Sequence, residues 1–276
     1  MKYIDHKDSL HQLVTEGNII IKDLIDHSLL SDANHLLEKE LDISALKSKN
    51  LPGFKMGNLA IDSCYIHNKI WNELKNTRLI EALTEQFPEY RYVSFGGNLN
   101  LPGSKKQRYH IDSNEAHLTI NVPLIKVTKS NGAVSVVNTN YLNPASTFTF
   151  FKGNLKKYSK RICSEKGDVI LRFSTTWHRG NENRSQQTRM MLSFTLRKNW
   201  PWASQEKSVR HLIDKKSETN KVSFSGNIYP DSIFGLFLET LDYYVPKISM
   251  GLQHFRNMLE SGRAMTEFLY FKQHTT

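Results

Sequence analysis

The chain has 276 residues, 39% of them hydrophobic and 23% charged, enough to bury one large core or a core with a small accessory domain. No stretch approaches the roughly 18 consecutive apolar residues of a membrane-spanning helix, and the polar first residues carry no apolar signal-peptide core. With only Cys64 and Cys163, and no metal-type cysteine spacing, two reduced thiols and a cytoplasmic location are expected.

The formal net charge is +10, and it is unevenly spread. Between Leu101 and Trp200 stand 17 basic residues against 5 acidic ones, a local excess of 17 − 5 = +12. A field of that sign attracts anions, or simply keeps a lysine-rich surface solvated. Nucleic acid is a poor fit, because no recognised motif or ordered basic helix accompanies the charge.

In chain order, Ile19-Ile20-Ile21 predicts a short strand, and a helix is expected from Ser31-Asp32 with Leu36, Leu37 and Leu41 on one face. Ile70, Trp71, Leu74, Ile80, Leu83 and Phe87 predict a second helix from about His67 to Pro88. Short strands and turns follow, with strands expected at 92–101, 109–113, 117–126, 133–138, 147–151, 168–173 and 190–197. That texture predicts a mainly β protein with flanking helices, its core a double-stranded β-helix of the jelly-roll, cupin-like kind. Residues 1–200 make the core domain in this reading, and 201–276 a C-terminal helical extension packed on it or lidding it. Within that extension Ser204 to Asn227 reads as a surface loop. Ile233, Phe237, Leu241, Tyr244, Ile248, Leu252, Phe255 and Leu259 predict two short helices broken at Pro246.

The chemistry is concentrated at His110-Ile111-Asp112, at His178, 68 positions after His110, and at Arg189, a further 11 on. Alternation along a strand turns His110 and Asp112 to one face. Two imidazoles and a carboxylate can cap one face of a metal ion and leave its other positions open, as non-heme Fe(II) oxygenases require. Ligand type alone also suits zinc or manganese. A nearby arginine can hold the carboxylate of a chelating cosubstrate. His117 is expected to face outward.

These residues and their surroundings resemble the phytanoyl-CoA dioxygenase (PhyH) family of Fe(II)/2-oxoglutarate oxygenases over most of Ile19 to Leu196. The likeness runs through Ile19–Ile25, Tyr109-His110-Ile111-Asp112, Asn131–Val137, Gly167-Asp168-Val169-Ile170, Trp177-His178-Arg179-Gly180-Asn181-Glu182-Asn183 and Arg189. It implies His110, Asp112 and His178 as catalytic iron ligands. Arg189, with Ser193 four positions on, would meet the distal carboxylate of 2-oxoglutarate, and dioxygen would complete the cofactor set. The activity implied is hydroxylation of an unactivated C–H bond in a small, anionic metabolite or biosynthetic intermediate, with succinate and CO2 as co-products. Halogenating relatives carry a small residue where Asp112 stands, so halogenation is disfavoured, while desaturation and ring chemistry remain open. Substrate contacts are expected among Asn98, Asn100, Gln107, Tyr109, Asn121 and Arg179, and the basic run Lys152, Lys156, Lys157, Lys160 and Arg161 offers a grip for an anion. A non-catalytic jelly-roll module binding a sugar or lipid is the competing reading, and the intact ligand set argues against it.

Overall fold

Residues 7–43, 55–113, 115–138, 147–198 and 221–226 are described by the computed structural model. The chain divides into two units, Met1–Asp231 and Ser232–Thr276. The second, with the helices expected around Pro246, lies outside the described residues.

The first unit opens with helix α1 (Lys7–Glu16), strand β1 (Asn18–Ile21), α2 (His27–Glu40), β2 (Met56–Asp62), α3 (Cys64–Asn76), α4 (Leu79–Gln86) and β3 (Tyr90–Asn100). β4 (Leu118–Pro123), β5 (Val134–Val136), the short helix α5 (Thr147–Lys152), a 3-10 turn (Leu155–Tyr158) and β6 (Lys160–Ile162) come next. β7 (Val169–Phe173), β8 (His178–Gly180), β9 (Arg189–Lys198) and β10 (Lys221–Gly226) complete the order. Seven strands pair antiparallel in the order β1-β7-β4-β9-β3-β2-β10, and three in the order β6-β5-β8. This is the mainly β, jelly-roll architecture that the strand texture predicts.

Alternation decides what each face of the large sheet carries. Leu118, Ile120 and Val122 of β4, Leu171 and Phe173 of β7, and Leu192, Phe194 and Leu196 of β9 join one apolar core with Leu30 and Leu37 of α2 and Ile66, Ile70 and Leu74 of α3. The helices dock there because their own apolar residues recur at helical spacing. Thr119, Asn121, Arg172, Ser193 and Thr195 take the intervening positions and line a cavity between the sheets.

Several elements differ from the sequence expectation. α2 begins one turn early, because the Asp26 carboxylate accepts the Ser28 and Leu29 N–H groups at 2.9 and 3.0 Å and so caps two orphan donors. The single helix expected up to Pro88 is two, broken where Arg78 adopts φ 63°. The aromatic run at 147–151 is helical rather than extended. Phe150 there is fully buried and stacks on Trp177 with ring centroids 4.1 Å apart. Of 109–113 only His110 pairs, in an isolated bridge with His178. α1, β2, β6, β8 and β10 were not anticipated. β10 pairs with β2 along its whole length, so the large sheet takes a strand from beyond residue 200, within the stretch expected to be a loop and part of a helical extension.

Candidate metal centre

His110, Asp112 and His178 come together between the sheets, their ligand atoms all within 4.8 Å of one another. The bridge between His110 and His178 sets the imidazoles side by side, ring centroids 4.4 Å apart. His110 Nδ1 lies 2.9 Å from the Arg108 carbonyl and His178 Nδ1 2.9 Å from the Thr176 carbonyl. A carbonyl only accepts, so His110 Nδ1 carries the proton and its Nε2 keeps its lone pair, and His178, whose Nδ1 also has Arg172 Nη1 at 3.1 Å, does the same in the tautomer that bonds Thr176. Both Nε2 atoms face Asp112 Oδ1, at 3.7 Å from His110 and 3.4 Å from His178. Two neutral imidazoles and one carboxylate oxygen, each held from behind, fit a divalent metal with the other half of its coordination sphere open.

Arg172 stands against this group. Its Nη2 donates to Asp112 Oδ2 at 2.5 Å. Enclosure by the cavity walls opposes ionisation of Asp112, yet the Arg172 guanidinium beside it holds its carboxyl well below the usual range. Sequence reasoning missed Arg172. The available signal was a cation inside the apolar run Val169-Ile170-Leu171-Arg172-Phe173, at the parity that faces away from the helices.

The cavity occupies about 440 Å³ and is lined by His110, Asp112, His178, Arg189, Ser193, Asn98, Gln107 and Asn121 among the expected residues. Arg189 is 2% exposed, and burial pulls its pKa down to about 10. Its Nη1 donates to Asn98 Oδ1 at 2.7 Å, while its buried Nε has no hydrogen-bond partner. A buried guanidinium held only by a neutral amide is costly until an anion arrives, so this end of the cavity suits a carboxylate. Gln107 also accepts the Gly180 N–H at 2.8 Å, tying its loop to β8.

Asn100, Tyr109 and Arg179 do not line the cavity. Asn100 is fully buried and joins strand to loop, donating to the Asn181 carbonyl at 3.0 Å and accepting from Ser104. Tyr109 is buried with Val137, Phe150 and Trp177 in a satellite core. Arg179 alternates with His178 and Gly180 along β8 and packs over the Tyr109 ring at 4.4 Å. The basic run at 152–161 is exposed and contributes nothing to the lining. His117, expected outside, is 9% exposed and lines the cavity instead. Its Nε2 is 3.2 Å from Ser113 Oγ, and its Nδ1 is buried without a partner. Burial and the nearby Arg197 charge lower its pKa, against smaller opposing effects of Glu115 and Asp112.

The model of the phytanoyl-CoA dioxygenase (PhyH) family matches residues 90–191. This segment is a PhyH domain. It spans β3 to the start of β9 and includes His110, Asp112, His178 and Arg189. The chain is accordingly a dioxygenase-type enzyme, with Fe(II), 2-oxoglutarate and dioxygen as its cofactor set. Solved structures share the fold of the PhyH domain and its flanking elements. HygX from Streptomyces hygroscopicus, with nickel and 2-oxoglutarate bound, is 13% identical with a TM-score of 0.55, over 71% of this chain and 89% of that one. SnoK, a non-heme alpha-ketoglutarate-dependent carbocyclase from nogalamycin biosynthesis, is 14% identical with a TM-score of 0.56, over 70% of this chain and 84% of that one. SnoN, an epimerase of the same dependence and pathway, is 17% identical with a TM-score of 0.53, over 70% and 80%.

Proposed function

We propose that the chain is an Fe(II)/2-oxoglutarate-dependent hydroxylase of a small anionic molecule. The observation that carries this reading is the convergence of two Nε2 lone pairs and one Asp112 oxygen in a cavity that also holds the buried Arg189 guanidinium with an unpartnered Nε. His110, Asp112 and His178 would hold the iron. Arg189, braced by Asn98 and near Ser193 on the same strand face, would take the distal carboxylate of 2-oxoglutarate, as a fixed guanidinium fork suits. When bound, iron, 2-oxoglutarate and dioxygen together would supply the oxidising power for C–H cleavage, one oxygen atom passing to the substrate and the other to succinate, with CO2 as co-product. The protein's own part is to fix one C–H bond beside the metal and keep water out.

The anionic character of the substrate rests on the lining. Arg172, Arg189 and Arg197 face the cavity, and Asp112 is the one carboxylate among its described lining residues. Asn121, and Gln107 where its amide is not engaged by Gly180, are the remaining expected residues in reach of such a substrate. Asp112 fills the position that a halide would need, which supports hydroxylation over halogenation. Among the described residues no helix is long and apolar enough to cross a membrane. A cytoplasmic location rests on the two free thiols, Cys64 and Cys163.

Anaerobic titration of the apo-protein with Fe(II) and 2-oxoglutarate tests the cofactor part, through the weak visible band of roughly 500 nm expected of a keto acid chelated on such a site. Iron bound without any band would sink the assignment. Incubation with a panel of carboxylated and phosphorylated metabolites, followed by succinate release and product mass, tests the rest. The gain of one oxygen atom is expected. Unchanged product mass would point instead to the epimerase kind of outcome.

A further inference from the structure

Arg172 lies outside the ligand set and the cosubstrate clamp, yet it is the charged side chain most tightly engaged with the metal site. It projects from β7 between Leu171 and Phe173, which point into the apolar core, and only 8% of it is exposed. Its Nη2 holds Asp112 Oδ2, and its Nη1 is 3.3 Å from the Phe173 carbonyl. Nη1 also approaches His178 Nδ1 to 3.1 Å. That nitrogen gives its proton to the Thr176 carbonyl, so the approach places charge there without a hydrogen bond between the two.

Asp112 is less constrained. It stands in an irregular stretch outside the named strands, fixed through its N–H to the Ser174 carbonyl at 2.9 Å, with its side chain 42% exposed. Backbone geometry alone therefore leaves its carboxylate free to rotate. With Oδ2 held by Arg172, Oδ1 is the oxygen turned toward both Nε2 atoms.

We propose that Arg172 is a positioning residue that restricts Asp112 to one metal-binding oxygen and so keeps a coordination position open for the chelating cosubstrate. The inference rests on the hydroxylase reading above. Two carboxylate oxygens on the metal would take one position more than a single oxygen does, and a bidentate cosubstrate would then have to displace one. Loss of Arg172 should leave the three ligands able to bind metal and remove a competing positive charge. The binding that suffers is that of 2-oxoglutarate.

The test compares Arg172→Met, Arg172→Gln and Arg172→Lys with the parent protein in two separate titrations. Mn(II) or Fe(II) affinity is measured alone, by calorimetry under anaerobic conditions. The affinity of the iron-loaded protein for 2-oxoglutarate is then read from the visible band. Arg172→Met should retain metal affinity and lose 2-oxoglutarate affinity by about tenfold to a hundredfold, the range typical of groups that orient metal ligands. Arg172→Lys, which can still donate to Oδ2, should recover part of it. Arg172→Gln, whose neutral amide can also donate to Oδ2, should recover part of it without the charge, and Arg172→Leu replaces the methionine variant if that one does not fold. A structural role alone would lower the melting temperature and leave both affinities at parent values, which overturns the proposal, as does a parallel loss of metal and cosubstrate binding. A parent protein that binds iron but gives no band would sink the hydroxylase reading itself, a result distinct from either.

Discussion

The two faces of the large sheet are built from the same strands and do opposite work. On β4, β7 and β9 the residues turned toward the helices are leucine, isoleucine, valine, methionine and phenylalanine, all buried in one core. Their immediate neighbours in sequence, Thr119, Asn121, Arg172, Ser193 and Thr195, face the cavity. The helix side gains stability by excluding water and filling volume. The cavity side keeps polar groups buried and only partly satisfied, Arg189 and His117 among them, which is tolerable where a ligand completes them. Stability and function are thus separated by one residue of strand parity, and substitutions on the two faces should separate them too.

The largest effect belongs to the proposed ligands. Asp112→Ala and His110→Ala should abolish the iron–2-oxoglutarate band and succinate release, while far-ultraviolet circular dichroism stays that of the parent. A melted spectrum would show that the site also carries the fold and would break the comparison. On the opposite face, Phe194→Ala should cost about 3–5 kcal/mol of unfolding free energy, measured by denaturant titration. Phe194 is fully buried and packs on Trp71 and Phe95, ring centroids 5.3 and 4.8 Å away. What remains folded should still bind 2-oxoglutarate.

Smaller effects sharpen the picture inside the cavity. Arg189→Gln should weaken 2-oxoglutarate by about 2–5 kcal/mol, the range for removing one side of a buried charge pair. Asn98→Ala, which removes only the brace, should cost about 1 kcal/mol of the same affinity. Equal losses would mean that Asn98 touches the cosubstrate itself. The smallest effect concerns His117, whose pKa is lowered in the folded protein from 6.5. The unfolded chain then binds the proton more readily than the folded one, so stability should fall as pH drops below 6.5 toward the folded value. His117→Asn should flatten that part of the pH–stability curve, and an unchanged slope would assign it to other groups.

Much of this was legible in residue order. Strand parity in β4, β7 and β9 follows from alternation, and the types and context of His110, Asp112 and His178 single out the three side chains that the fold then groups. The helix at 147–152 was not legible. Threonine and phenylalanine favour strands locally, but Phe150 is held by its stack on Trp177, a contact no local pattern reports. β8 is three residues long and too short to show any period. Tyr109 and Arg179 looked like cavity residues from proximity to the ligands in sequence, and the alternation that turns His110 and His178 inward turns these two away toward the satellite core.

By itself the sequence determined which side chains could ligate a metal, which faces would be apolar, and that residues 101–200 carry the cationic excess. These follow from side-chain chemistry and the two-residue period of a strand, both local. Tertiary structure alone decided that Arg172 meets Asp112 across 60 residues, that Arg189 is braced by Asn98 across 91, and that His117 turns inward. Those pairings depend on the register of β7, β3 and β9 in the sheet and on the path of the loop carrying Asp112. Register is set by the packing of the whole core, so no short stretch of chain contains it.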